Sequence, residues 1–223
     1  MSNSTLDRPP VSTLLETLFT EAEARDGSIR KDLAARSPEE RAAFMASAST
    51  DYRDFYGRAR DLFLPVSRET GRLLYLLARA SKARSIVEYG TSFGISTLHL
   101  AAALRDNGGG LLIGSDLEPG KVAQARRNVA AAGLEDLVEI REGDALETLA
   151  HDLPVSIDLV LLDGAKVLYP RILALLEPRL ARGALVLADN ADDSPEYLAR
   201  VRDAGHAYVS VRFADDVELS LNA

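Results

Sequence analysis

Ser85-Ile86-Val87-Glu88-Tyr89-Gly90-Thr91-Ser92-Phe93-Gly94-Ile95-Ser96 passes from a short β-branched run into a turn with two glycines, and from there into the helical stretch Ile95–Arg105. Such a run, bounded by glycine and followed by a helical repeat, reads as a strand–turn–helix unit. Gly90 and Gly94 let backbone approach a ligand closely, and the amides that open the helix face the same way. The spacing is not Gly-x-Gly-x-x-Gly, and position 92 carries a side chain where a pyrophosphate would need the second glycine. A nicotinamide dinucleotide site is therefore disfavoured.

The same alternation continues downstream. Strands are predicted at Ser85–Gly90, Leu111–Asp116, Val138–Gly143, Ile157–Asp163, Ala184–Asn190, Ala207–Phe213 and Val217–Leu221. Helices are predicted near Ile95–Arg105, Lys121–Ala132, Leu146–Ala150, Tyr169–Arg182 and Pro195–Ala204. Five strand–helix units in succession make an α/β chain with a parallel sheet covered on both faces. Only Ala214-Asp215-Asp216 joins the last two strands, enough for a hairpin but not for a parallel crossover, so the last strand should be antiparallel. Upstream, Leu14, Leu15, Leu18, Phe19 and Ala22 recur at three and four, and Ser37-Pro38-Glu39-Glu40 has the form of a helix start. Residues 1–63 are thus expected to form a helical extension to an α/β domain over 64–223, which opens with a helical segment at Glu69–Ala80.

Composition narrows the function. The 223 residues hold 34 acidic and 26 basic side chains, a net charge of −8 without long runs, which argues against nucleic acid as a partner. Without cysteine there is no disulfide, no thiol catalysis and no thiolate zinc site. The three histidines, His99, His151 and His206, are too dispersed for a local metal motif, so any metal would need oxygen ligands. Residues 1–10 lack an apolar signal core and no apolar run approaches a membrane span, so a soluble cytoplasmic protein with no membrane partner is expected.

In an open parallel sheet, ligands sit beyond the carboxyl ends of the strands. Glu88, Asp116, Asp144, Asp163 and Asp189 all fall at such ends. Each alone could be a helix cap or a turn residue; five at successive ends suggest a site. Asp116, ending the second strand, stands where a carboxylate accepts both hydroxyls of a ribose, although it could equally cap the helix that begins near Pro119. Asp163 and Lys166 lie three residues apart at a strand end, and Asp189-Asn190 close the neighbouring strand. Two carboxylates and a carboxamide make a hard, all-oxygen site suited to Mg²⁺ or Ca²⁺. Gly90-Thr91-Ser92-Phe93-Gly94 also spells Gly-x-Ser-x-Gly, with Asp189 and His206 in hydrolase order. Against a serine hydrolase, the turn follows the first strand, no upstream His-Gly-Gly loop exists, and His206 begins a strand rather than ending one.

Together these residues resemble the class I S-adenosylmethionine-dependent methyltransferases, and among them the catechol and caffeoyl-CoA O-methyltransferase family, above all its small bacterial members. The resemblance runs from about Leu64 to the C-terminus. It rests on Leu64-Pro65-Val66-Ser67, Val87–Ser96, Gly143-Asp144-Ala145, Leu161–Lys166 and Ala188-Asp189-Asn190. It implies a Rossmann-like, doubly wound, seven-stranded and mostly parallel sheet. It also implies that Val66, Glu88, Gly90 and Ser96 surround the methionine end of S-adenosylmethionine. Asp116 would take the ribose, Asp144 and Ala145 would border the adenine, and Asp163 would lie against both cofactor and metal. Asp163, Asp189 and Asn190 would hold one divalent cation, Mg²⁺ or Ca²⁺. Lys166 would be the general base, with Tyr169 nearby in the pocket.

The expected reaction is methyl transfer to a hydroxyl of a small, phenolic or natural-product-like acceptor, in a homodimer that the helical extension would suit. Ala165 stands where the animal catechol enzymes carry an aromatic wall, and Tyr208–Leu221 offers no evident match for the acidic side chain that holds the second catechol hydroxyl. A simple catechol is therefore not the expected acceptor, and Tyr52, Phe55, Tyr56 and Phe63 near the extension suggest that the N-terminal helices supply the pocket wall. The alternatives are a methyltransferase of the same fold that works without metal or on another acceptor, and a non-catalytic cofactor-binding module.

Overall fold

The computed structural model describes residues 4–37, 39–40, 51–203, 205, 207–213 and 216–223. In chain order these form α1 (Val11–Ala35), α2 (Tyr52–Arg58), α3 (Arg68–Ala80), β1 (Ser85–Tyr89), α4 (Ile95–Asp106), β2 (Leu111–Asp116), α5 (Pro119–Ala131), β3 (Val138–Glu142), α6 (Ala145–Thr148), β4 (Ile157–Leu162), α7 (Tyr169–Leu176), β5 (Leu180–Ala188), α8 (Pro195–Arg202), β6 (Tyr208–Phe213) and β7 (Val217–Asn222). The seven strands make one sheet in the order β3-β2-β1-β4-β5-β7-β6, in which β7 alone runs against the others.

The central strands are buried on both faces, which explains their near-continuous apolar runs. Successive side chains enter different cores: Ile86, Leu112, Leu159 and Leu161 pack on one face with α1, α3, α4 and α5. Val87, Ile113, Val160 and Leu162 pack on the other with α6, α7 and α8. Leu15, Leu18 and Phe19 of α1 belong to the first of these cores. At the centre, Val87 pairs with both Ile113 and Val160, so the chain winds outward in opposite directions from β1 and β4. Their carboxyl ends form the crevice where such sheets bind ligands.

Two predicted boundaries move. The helix expected over Tyr169–Arg182 stops at Leu176, because Pro178 cannot donate an amide back along it, and Glu177–Arg179 becomes a 3-10 turn. The next strand accordingly starts at Leu180 rather than Ala184, and it ends at Ala188, two residues before Asn190 turns to φ +49°. At the proposed helix start near Ser37, the Ser37 hydroxyl accepts the Glu40 amide (3.2 Å) while the Glu40 carboxylate accepts the Ser37 amide (2.8 Å). That reciprocal pair is a capping box; Pro38 lies outside the described residues, as do Ala214 and Asp215 of the last hairpin.

Candidate active site

The turn after β1 carries the first part of the site. Gly90 has φ +98°, and a side chain there would meet the Asp163 carbonyl at 2.5 Å, so only glycine lets the ends of β1 and β4 close together. Gly94, at φ +87°, begins α4 with no side-chain cap. Glu88 is completely buried. Its Oε2 accepts the Thr91 (3.1 Å) and Thr97 (2.6 Å) hydroxyls, whereas Oε1 is buried without a hydrogen-bond partner among the described residues. Burial pushes its pKa up to about 7 against the opposing hydroxyls of Ser96, Thr97 and Thr91. Ser96 and Val66 are buried beside this turn and line the same narrow cleft as Gly90.

The Ser92 hydroxyl donates to the Phe63 carbonyl at 2.7 Å, and among the described residues neither a histidine nor a carboxylate hydrogen-bonds to it. His206, the remaining member of the hydrolase pattern, lies outside the described residues.

Asp116 does not cap α5; Glu118 does, accepting the Gly120 amide. The Asp116 carboxylate instead accepts the Ser92 amide at 2.7 Å and the Glu118 amide at 3.0 Å, and it faces a cavity of about 220 Å³. Asp144 and Ala145 border the same cavity. Asp144 caps α6 through the Leu146 amide (3.0 Å) and also accepts the Tyr52 hydroxyl (2.7 Å) and the Arg53 guanidinium (2.5 Å) from α2. These donors hold its pKa below the usual range against burial.

At the ends of β4 and β5 the charge is concentrated. Lys166 Nζ lies 3.0 Å from Asp163 Oδ1, both side chains being largely buried. Burial raises the Asp163 pKa against Lys166 and Lys121. Burial opposes the Lys166 ammonium, but Tyr169, Asp163, Tyr56 and Asp189 hold its pKa above the ordinary lysine range. The Asp189 carboxylate accepts no hydrogen bond among the described residues, and burial, then Asp163, push its pKa up to about 8. The Asn190 side-chain amide donates to Asp216 (2.9 Å), leaving its own oxygen available. Tyr169 is not a wall of the pocket: it is fully buried, and its hydroxyl sits 2.8 Å from the carbonyls of both Leu162 and Asp189, pinning the two strand ends.

The extension supplies pocket wall, as its aromatic residues suggest, whereas Lys121 and Asp216 carried no readable signal. Tyr52, Phe55 and Tyr56 of α2 wall the cavity opposite Asp163 and Lys166, supplying aromatic surface that Ala165 does not. Lys121 is buried at the cavity wall, 5.7 Å from the centre of the Phe93 ring; burial lowers its pKa, with Asp116 and Asp26 opposing. A second groove of about 480 Å³ brings Asp216 beside Asp189 and Asn190, so the tail does place an acidic side chain at the site. The spacing of Asp216 from Asn190 in sequence hides this, because only the β5–β7 pairing joins them. No three His, Asp or Glu side chains among the described residues are arranged to hold a metal ion, so any cation site depends on the Asn190 amide.

Residues 87–191 match the family model described as a methyltransferase domain. A catechol O-methyltransferase of Niastella koreensis is 37% identical over 131 residues, covering 57% of this chain and 58% of that protein. A catechol O-methyltransferase of Mycobacterium tuberculosis is 33% identical over 141 residues, covering 63% of each chain. The match thus spans about three fifths of the length of these curated relatives. The O-methyltransferase TomG from Streptomyces achromogenes, involved in tomaymycin synthesis and solved in complex with S-adenosylmethionine, superposes with a TM-score of 0.64 at 27% identity, over 81% of this chain and 89% of that one. With the sheet order, the glycine turn and the acidic strand ends all in place around the matched residues 87–191, the chain is similar in sequence and fold to S-adenosylmethionine-dependent O-methyltransferases.

Proposed function

We propose that the protein transfers a methyl group from S-adenosylmethionine to a hydroxyl of a small phenolic or natural-product-like molecule. The observation that carries this reading is the set of largely buried Asp163, Lys166 and Asp189 with the half-buried Asn190 at the ends of two adjacent strands, beside the cavity bordered by Asp116 and Asp144. Cofactor binding alone would not require an amine and two carboxylates there.

The cofactor brings an electrophilic methyl on a sulfonium, so the protein must place an acceptor oxygen behind that methyl and remove its proton. Glu88, Gly90, Ser96 and Val66 suit the methionine end, and the unpartnered Glu88 Oε1 is an acceptor without a donor. Asp116 keeps lone pairs free for ribose hydroxyls, and Asp144 and Ala145, which line the same cavity, suit the adenine end.

Asp163, Asp189 and Asn190 fit a hard divalent cation, Mg²⁺ or Ca²⁺. Two buried carboxylates, one lacking any hydrogen bond, form a set that a cation stabilises. When bound, such an ion lowers the pKa of a coordinated hydroxyl. Lys166 then takes the proton as the oxygen–carbon bond forms and the sulfur–carbon bond breaks. A base must be neutral, so Asp163 cannot remain the ion-pair partner of Lys166, and commitment of Asp163 to a cation meets that condition. Asp216 supplies the acidic group beside the acceptor. The second reading is a metal-independent reaction: Asp163 already has a counter-charge in Lys166 and needs no cation for its own stability, though Lys166 must then lose its proton before it acts as base.

Turnover of hydroxylated aromatics with labelled cofactor, before and after chelation, separates the two. Loss on chelation with rescue by Mg²⁺ supports the cation; activity indifferent to chelator and to Asp189→Ala, yet lost in Lys166→Ala, establishes the lysine-only route. The N-terminal residues act in this reading as pocket wall, and a homodimer formed through them is tested by light scattering. No helix among the described residues is long and apolar enough to cross a membrane.

A further inference from the structure

We propose that Asp26 is a positioning residue for the cofactor: from α1 it holds the segment Phe63–Val66 across the pocket. Asp26 is 1% exposed, and its two carboxylate oxygens accept the backbone amides of Phe63 (3.0 Å) and Leu64 (2.8 Å), which lie 37 and 38 residues further on. Leu64 has φ +45°, a left-handed conformation that a leucine keeps only where its surroundings impose it. The two amide bonds to Asp26 impose it here. A carboxylate this deeply buried is tolerated because both of its oxygens receive donors, so any other course of residues 63–64 would leave those buried oxygens without them.

The segment is gripped from its other side as well. The Phe63 carbonyl accepts the Ser92 hydroxyl at 2.7 Å, and the Phe63 ring stacks on Phe93 with centres 4.1 Å apart. The Ser92 amide in turn donates to Asp116. An unbroken line of contacts therefore runs from Asp26 through Phe63 and Ser92 to the proposed ribose carboxylate. Leu64 lines the main cavity, and Leu64 and Val66 both line the cleft beside Gly90 and Ser96. Asp26 itself reaches neither, so it acts through the segment it holds.

The inference rests on the reading that this cavity holds S-adenosylmethionine with Asp116 at its ribose, and the test keeps the two apart. Binding of S-adenosylhomocysteine is measured by calorimetry, with melting temperatures, for the wild type, Asp26→Asn, Asp106→Asn and Asp116→Ala. Asn offers one amide an acceptor and turns a donor toward the other. Asp106 also ties the N-terminus down, accepting Thr5 and Tyr75, but lies away from the cavity. Asp26→Asn should weaken binding roughly ten- to a hundredfold, because apparent affinity falls with the fraction of molecules in the competent form. Asp106→Asn should lower the melting temperature and leave affinity unchanged.

Equal affinity in Asp26→Asn and Asp106→Asn would overturn the proposal while leaving the cofactor reading intact, provided that Asp116→Ala weakens binding. An undiminished affinity in Asp116→Ala would remove the cofactor reading, and the inference with it. If Asp26→Asn does not fold, hydrogen exchange in the wild type decides. S-adenosylhomocysteine should slow the Phe63 and Leu64 amides roughly tenfold or more, as expected of a segment whose local opening is linked to binding. Unchanged exchange would overturn the proposal.

Discussion

The side-chain amide of Asn190 donates to the Asp216 carboxylate across 2.9 Å, and the Ala191 amide donates to the Asp216 carbonyl at 2.8 Å. The end of β5 is thereby fastened to the turn that enters β7, and the Asn190 side chain is restrained through its amide nitrogen. Asp216→Ala removes that restraint and an acidic group of the acceptor groove. Turnover should fall about three- to tenfold, the rate equivalent of losing one hydrogen bond worth roughly 1 kcal/mol. S-adenosylhomocysteine affinity should not change, and a calorimetric titration beside steady-state kinetics separates the two effects.

Lys166→Ala removes the proposed base. Its kcat should drop by about 10²–10⁴-fold, with partial recovery at high pH, where a phenol of pKa near 10 deprotonates itself. Combined with Asp189→Ala, the losses should fall far short of additive, because both residues act on one proton. A kcat–pH profile of the single variant that shows no recovery would remove Lys166 from the base role.

Glu88 carries a pH signature that needs no substrate. Its pKa is about 7 in the folded protein against an ordinary 4.5, so as pH rises the unfolded chain releases this proton first. The stability associated with it is complete below about 4.5 and declines until about 7, by at most about 3 kcal/mol. Glu88→Gln, which cannot titrate, should lose less stability than the wild type between pH 5 and pH 8 in denaturant titrations. Equal losses would place the carboxylate in a wetter setting than the one observed.

Gly71→Ala tests the packing of α3 on α4. In an open helix this change gains about 0.5–1 kcal/mol. Here the new methyl would lie 2.7–3.0 Å from three atoms of the buried His99 ring, which is fixed by a 2.8 Å hydrogen bond to the Ile95 carbonyl. Overpacking of about 1–3 kcal/mol should win, and the variant should melt below the wild type.

Sequence alone determined the parts that depend on local periodicity. β1, β2 and β4 were legible as largely apolar runs closed by a glycine or an acid, β3 as a short alternation of apolar and charged residues before Gly143, and the three-residue link before Val217 left only a hairpin. Gly90 was legible as a close approach, since no other residue serves at a strand end that must admit a neighbouring backbone. The helix after Tyr169 was overextended because its periodicity runs on past the point where Pro178 ends the hydrogen bonding.

Tertiary structure alone decided which distant groups meet. Asp144 reads as a cap, yet it also receives Tyr52 and Arg53 from about ninety residues upstream. Asp26 looked like one more polar residue in a long helix, and Asp216 like a turn residue. Their partners are backbone amides and side chains brought close only when α1 packs on the sheet and β7 pairs with β5, and a contact between elements leaves no period in either one.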